Sequence, residues 1–216
     1  MSGLRMPAGL SAISLGLIYI AAFVYFCAFF SYPASGSPAA KMRFLADHQL
    51  PVSAVYFSIY VLFGVLLAIL VVGLHEMLKA VSPRIAPVAS VFGVVWVGLV
   101  IASGMIYTVG LDQSVSLLAE DPDKAFDLWR TVSVIGNSLG GGNEIVGGLW
   151  VLLVSLGALQ AAVLSRPLNY LGCLVGVAGI ATVYPAEMLT QVFGLSQIAW
   201  FVWLGAAILR SDEPGA

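Results

Sequence analysis

The residues best suited to carry chemistry are concentrated in segment 137–150, which reads Asn-Ser-Leu-Gly-Gly-Gly-Asn-Glu-Ile-Val-Gly-Gly-Leu-Trp. It combines the amides Asn137 and Asn143 with the carboxylate Glu144. In a membrane protein such a carboxylate can mark an ion or substrate path, or act as a catalytic acid or base. The glycines at 140–142 do not form a phosphate loop, because no Lys follows them. We expect them to break a helix, with Glu144 in the first turn of the next helix, where the helix dipole favours a carboxylate by about 0.3–1 kcal/mol.

The other polar candidates are dispersed along the chain: Asp47, His48, Asp112, Glu187 and Gln191. Asp47 and His48 are adjacent, so on a helix they would point about 100° apart and cannot chelate an ion by themselves. The only other histidine, His75, is expected at the opposite membrane face, so the sequence predicts no zinc or haem site, no metal and no cofactor. No serine lies in a GxSxG motif. These features favour a protein that is not an enzyme.

The elements that must position these residues are membrane helices. The chain is 60% hydrophobic and 9% charged, with mean hydropathy +1.00, whereas about a quarter of the residues in a soluble domain are charged. Its uncharged runs can cross a hydrocarbon core of about 30 Å as helices of about 20 residues, and none alternates like a barrel strand. We therefore predict an all-α, polytopic membrane helix bundle forming a single domain, 1–216. The six expected spans are 8–30, 54–74, 85–111, 145–164, 168–186 and 188–209.

Two connecting segments carry further predictions. Asp121 and Pro122 are typical of a helix start. The uncharged part of a helix over 122–139 is too short to span the membrane, so we interpret this helix as interfacial or re-entrant. A seventh span is the alternative. Segment 33–51 is expected to be an external loop with a short helix near 41–48. The aromatic residues of the first span are interpreted as an interfacial belt, with a ligand cage as the alternative.

The distribution of basic residues predicts the orientation. Lys79, Arg84 and Arg166 lie in very short connections, which favours the cytoplasmic side for these connections and for both termini, in a cell (inner) membrane. The first apolar run exceeds the 7–15 residues typical of a signal core, so we expect an uncleaved helix. Cys27 and Cys173 are expected at depths about 20 Å apart, which excludes a disulfide between them.

Residues 148–180 resemble a known family. Gly148, Leu149 and Trp150 open a helix, Ser165, Arg166 and Pro167 form a turn, and Leu171 and Gly172 open the next helix. This pattern resembles the bacterial six-helix integral membrane proteins of domain-of-unknown-function family forty-three eighty-six. The resemblance implies a topology but no activity and no catalytic residue. Separately, Gly172, Gly176 and Gly179 form a small-residue face, which packs closely either within the chain or against a second copy.

Three functions remain open. On the predicted topology the outer face holds Glu144, Asn143, Asn137, Glu187, Gln191, Asp47, His48 and Asp112. The first hypothesis is a non-enzymatic accessory protein that packs against a membrane-protein partner or forms a homo-oligomer. The second is a small transporter or channel with a polar outer vestibule, and the third is a membrane enzyme using Glu144 or Glu187 with His48. In each case the surroundings are a lipid bilayer, and no nucleic-acid partner is expected.

Overall fold

The structure is a computed structural model that describes residues 2–141, 144–184 and 186–210. Asn143, one of the predicted site residues, lies outside the described residues. Over this part of the chain the molecule is an all-α helix bundle without strands, which confirms the predicted fold class. The helices are α1 (Arg5–Val24), α2 (Pro38–Asp47), α3 (Gln49–Tyr56), α4 (Phe63–Leu78), α5 (Ile85–Leu117), α6 (Pro122–Gly136), α7 (Ile145–Gln160), α8 (Arg166–Ala181) and α9 (Glu187–Arg210). Short π-helical segments, Tyr25–Phe29, Phe57–Leu62 and Asn137–Gly141, extend α1, join α3 to α4 and extend α6.

Five helical segments of the described chain are long and apolar enough to cross a membrane. They are Arg5–Phe29, Gln49–Leu78, Ile85–Leu117, Pro122–Gln160 (which includes the undescribed residues 142 and 143) and Glu187–Arg210. The helix in the predicted span 168–186 is shorter than expected, because α8 ends at Ala181 after 16 residues. At 1.5 Å per residue it is about 24 Å long, less than the hydrocarbon thickness of about 30 Å.

Six helices form a closed ring in which each packs on two neighbours, in the order α1, α4, α5, α7, α8, α9 and back to α1. Their ends define two poles of the bundle. We call the pole that holds Arg5, Arg210 and the two short connections 79–84 and 161–165 the base, and the opposite pole the mouth. In the middle of the ring, Phe63, Trp96, Trp150, Trp200 and Phe201 contact one another in a closed circuit with ring centroids 5.4–6.1 Å apart.

Small residues bring α7 and α8 into backbone contact. Gly179 lies against Gly148, and Gly176 lies against Leu152. A methyl group on Gly148 would lie only 2.7 Å from the Gly176 carbonyl oxygen. Gly172 lies against the Ser155 side chain of α7. The small-residue face of α8 therefore packs against α7 of the same chain rather than against a second copy.

Two connections at the mouth contain helices. Segment 33–51, expected to be mainly a loop, contains α2, whose start is fixed by the Ser37 hydroxyl accepting the Ala40 N–H at 3.2 Å, and the start of α3. The helix expected over 122–139 is α6, capped at its start by the Asp121 carboxylate, which accepts the Lys124 N–H at 3.1 Å. Helix α6 packs on α2 and α5, and α7, the next helix of the chain, also packs on α5.

Candidate functional site

A cavity of about 850 Å³ extends from the mouth into the bundle. Its walls come from α1, α2, α5, α6, α9 and the π-helical segment between α3 and α4. Eleven lining residues are aromatic: Tyr19, Phe23, Phe26, Phe30, Tyr32, Tyr56, Tyr60, Tyr107, Phe126, Trp129 and Phe193. Exposed residues of α6 and α9, among them Val134 and Gln191, form part of the wall, so the cavity is open on that side. Its composition is that of a site for an apolar or aromatic molecule.

Glu144 lies at the inner end of this cavity, which corrects the prediction that it faces the outer surface. It lines both the large cavity and an adjoining chamber of about 120 Å³ that also touches Tyr19 and Phe63. Tyr19 is 14 residues from Arg5, and Phe63 is 15 residues from Leu78, so at 1.5 Å per residue both lie about 21–23 Å above the base. The carboxylate is therefore deep in the bundle.

The contacts of the α6 to α7 connection explain this depth. Gly136 lies against Tyr107, Gly140 against Val100 and Gly147 against Trp96, so the connection follows α5 toward the base. At Gly140 the backbone is not helical. The glycines let the chain approach α5 closely, and α7 consequently begins inside the bundle rather than at its surface.

The backbone of Glu144 is held by Thr182, the residue that follows α8. Its N–H donates to the Thr182 hydroxyl at 2.8 Å, and that hydroxyl donates to the Gly179 carbonyl at 2.6 Å. Glu144 immediately precedes α7, close to the position expected for it, and its side chain makes no capping hydrogen bond. Thr182 thus fixes the backbone of Glu144 and leaves the Glu144 carboxylate free to face the cavity.

The Glu144 carboxylate is unusually short of partners. The residue is 7% exposed, and its buried Oε2 atom has no hydrogen-bond partner among the described residues. The Trp96 indole N–H lies near this carboxyl group without standard hydrogen-bond geometry and also has no other described partner. Because burial of an unpaired polar atom destabilises a protein by about 1–3 kcal/mol, such a pair of atoms is typical of a site that a ligand or water completes.

Tyrosines and α6 form one ordered wall of the cavity. The Tyr107 hydroxyl donates to Asn137 Oδ1 at 2.8 Å, and its ring stacks on Tyr56 with centroids 4.5 Å apart. One turn deeper, the Ser103 hydroxyl donates to the Gly136 carbonyl at 3.0 Å. These bonds hold the end of α6 against α5, so the wall is preformed in the absence of a ligand.

The charged residues at the rim have local partners. Lys41 lies over the Phe126 ring, with Nζ 5.2 Å from the centroid, and Arg130 lies 3.7 Å from the Asp127 carboxylate. Glu187 accepts a hydrogen bond from Gln191 Nε2 at 3.0 Å. Lys41 and Arg130 are therefore both engaged with local partners at the rim.

The structure brings together only some of the predicted site residues. Asn137, Glu187 and Gln191 share the cavity with Glu144. Asp47 and His48 are exposed and do not line it, and the His48 ring stacks on Phe44. Asp112 lies elsewhere at the mouth and accepts a hydrogen bond from Gln49 at 3.3 Å. The acid–base pair proposed for an enzyme, His48 with Glu144 or Glu187, is therefore not assembled in the described structure.

The aromatic lining is the feature that sequence reasoning missed. Tyr19, Phe23, Phe26 and Phe30 follow one another at intervals of three or four residues, which places them on one face of α1 and of the π-helical segment that extends it. The sequence interpretation assigned these residues to an interfacial belt. The spacing was the available signal for the alternative, a cage facing inward.

The fold and site together define a class: an all-α bundle with membrane-length apolar helices and a deep aromatic cavity that ends at a buried carboxylate. Comparison of the chain with protein-family models, with curated proteins and with solved structures found no match. The resemblance of residues 148–180 to a six-helix family stays a prediction.

Proposed function

We propose that the protein is a non-enzymatic membrane protein of the transport type, whose cavity binds a small, mainly apolar molecule at the outer side of the membrane. The observation that carries this proposal is the cavity itself, with about 850 Å³ of space lined by eleven aromatic residues. This volume is in the range of sites for drug-sized ligands, about 300–1,000 Å³. The cavity favours the vestibule alternative over a purely accessory role, for which packing surfaces alone would be sufficient.

The mode of action that fits this architecture is binding followed by a conformational change, rather than flow through an open channel. Below Glu144 the closed circuit of aromatic side chains, Phe63, Trp96, Trp150, Trp200 and Phe201, fills the middle of the bundle. The three tryptophans are each at most 2% exposed. A molecule bound beside Glu144 can therefore reach the base only if these side chains move.

The first test measures occupancy of the cavity with a neutral apolar probe. N-phenyl-1-naphthylamine becomes fluorescent in apolar sites, and we expect saturable binding to the purified protein in dodecyl maltoside. Ala22 lines both the cavity and the inner chamber, so Ala22→Phe should fill the site and weaken binding at least about tenfold. Ala21→Phe is the matched control, because Ala21 is exposed and does not line the cavity. Equal probe binding by the two variants would refute the proposal.

A cysteine offers a second readout that needs no mutation. Cys27 is a free, exposed thiol that lines the cavity, whereas the free Cys173 lies on α8 outside it. Saturating N-phenyl-1-naphthylamine should slow alkylation of Cys27 and leave Cys173 unchanged, as measured by peptide mass spectrometry. Slowing of both thiols or of neither would contradict binding in this cavity.

We further infer that the cavity opens to the outer side of a cell (inner) membrane, with six spans and both termini cytoplasmic. Five cationic residues lie at the base (Arg5, Lys79, Arg84, Arg166 and Arg210), with Glu76 the one described acidic residue there. A basic cytoplasmic pole is the usual orientation, and the sixth span is then the short helix α8. Phosphatase and fluorescent-protein fusions at the C-terminus test this: fluorescence without phosphatase activity is expected, and the reverse would refute it.

A further inference from the structure

We propose that the ligand of the cavity is a monovalent organic cation with an apolar body, and that Glu144 is its counter-ion. This inference rests on the proposed ligand-binding function and adds the chemical class of the ligand. Its two independent supports are the carboxylate at the end of the cavity, whose Oε2 atom has no partner among the described residues, and the aromatic rings in front of it.

The first support is the chemistry of the inner end. Among the described residues Glu144 Oε2 is buried without a partner, and no basic side chain lines the inner chamber. A charged carboxylate in apolar surroundings is strongly destabilised unless it is paired. A bound cation supplies that pair, whereas an anionic ligand would place a second negative charge beside the first. Two cations do line the cavity, Lys41 and Arg130, but both are at the rim and have local partners.

The second support is the lining between the rim and Glu144. Tyr19 and Tyr60 lie beside the carboxylate in both the cavity and the chamber. Aromatic faces attract cations by about 0.5–2 kcal/mol, more strongly where water is excluded. The rings also accommodate the apolar body of a ligand. A carboxylate behind aromatic rings therefore matches an amine or onium group attached to hydrocarbon.

The net charge of the mouth also favours a cationic ligand. Its acidic residues are Asp47, Asp112, Glu120, Asp121, Asp123, Asp127 and Glu187, and its basic residues are Lys41, Arg43, Lys124 and Arg130. Seven negative and four positive charges leave a net charge of −3. Such a field raises the local concentration of cations and slows the approach of anions.

Two probes of the same shape and opposite charge test the inference directly. Tetraphenylphosphonium and tetraphenylborate are near-isosteric, so their affinities for the wild-type protein compare charge at constant size. We expect the phosphonium ion to bind at least about tenfold more tightly than the borate in equilibrium dialysis against dodecyl maltoside micelles, with protein-free micelles as the partition control. This comparison uses the wild-type chain and does not depend on the folding of a variant.

Substitutions then assign the effect to one carboxylate. Glu144→Gln keeps the shape but removes the charge, and it should weaken phosphonium binding at least about tenfold while retaining the binding of neutral N-phenyl-1-naphthylamine. Glu120→Gln is the matched control, because Glu120 is an exposed carboxylate of the mouth that does not line the cavity, and it should change the affinity less than about threefold. Equal affinity for the two ions, or phosphonium binding that is unchanged in Glu144→Gln, would overturn the cation assignment while the neutral probe still binds. Failure of all three probes to bind would overturn the proposed function as well.

Discussion

The packing of α7 on α8 makes a strong prediction for Gly148→Ala. A methyl group there would lie 2.7 Å from the Gly176 carbonyl oxygen and the Ile180 nitrogen, and 2.8 Å from the Gly179 carbonyl carbon. All three atoms belong to the backbone, so no side chain can rotate away, and the two helices must separate. Overpacking typically costs about 1–3 kcal/mol, and this backbone collision belongs at the upper end, at about 3 kcal/mol. For a chain of this length we expect the unfolding temperature to fall by about 6–12 °C.

The assay is thermal unfolding in dodecyl maltoside, followed by near-ultraviolet circular dichroism. Gly98→Ala is the matched control, because Gly98 is also in a helix but a methyl group there would meet no atom within 4 Å. Its unfolding temperature should stay the same or rise, since Ala is the better helix former by about 1 kcal/mol. If Gly148→Ala unfolds within about 2 °C of Gly98→Ala, the close contact of α7 with α8 is refuted, and with it the position of Glu144 at the start of α7.

Three further predictions address the supports of the site. Thr182→Val removes the hydroxyl that accepts the backbone N–H at the start of α7. The lost hydrogen bond should destabilise the fold by about 2 kcal/mol and lower the unfolding temperature by about 4–8 °C. Thr108→Val is the control, because its hydroxyl bonds only to carbonyls of its own helix and its loss should change the unfolding temperature little; equal effects of the two variants would contradict the role of Thr182. Tyr107→Phe keeps the stacked ring but loses the 2.8 Å bond to α6, so hydrogen exchange at the end of α6 should accelerate about fivefold, from about 1 kcal/mol; unchanged exchange would count against the preformed wall. The backbone N–H and ammonium of Lys124 hold the pKa of Asp121 below its usual range. The Asp121 carboxylate therefore stabilises the folded state at neutral pH, and this stabilisation is lost as the pH falls through the lowered pKa. The difference in unfolding temperature between wild type and Asp121→Ala should shrink at about pH 3, and a difference that does not change with pH would refute the cap.

The helical class was predictable because it depends on properties that are local in sequence. Long uncharged runs such as 85–111 can satisfy their backbone in lipid only as helices or barrels. Helix starts with local caps, such as Asp121 before Pro122, were readable for the same reason. Even so, α5 continues to Leu117, past the expected end, because Asp112 lies at the mouth, where a charged side chain does not end a helix.

The depth of Glu144 was not predictable from local pattern. It depends on Gly136 packing on Tyr107 and Gly147 packing on Trp96, contacts between residues about 30 to 50 positions apart. The run of glycines signalled a break in the helix but not the direction that the chain takes after it. The aromatic face of α1 was ambiguous for a related reason, since the same spacing serves a lipid-facing belt and an inward-facing cage. Only the position of α9 and α6 around that face decides between them.

Glu144 can act as proposed only if it is a ligand-accessible carboxylate inside an apolar cavity. Dicyclohexylcarbodiimide, an apolar reagent that modifies carboxylic acids within membrane proteins, tests this in one measurement when its adducts are located by peptide mass spectrometry. We predict modification of Glu144 in the wild-type protein, and strong suppression of that modification by saturating N-phenyl-1-naphthylamine. Absence of an adduct on Glu144, or an adduct that forms equally fast with the probe bound, would contradict the account.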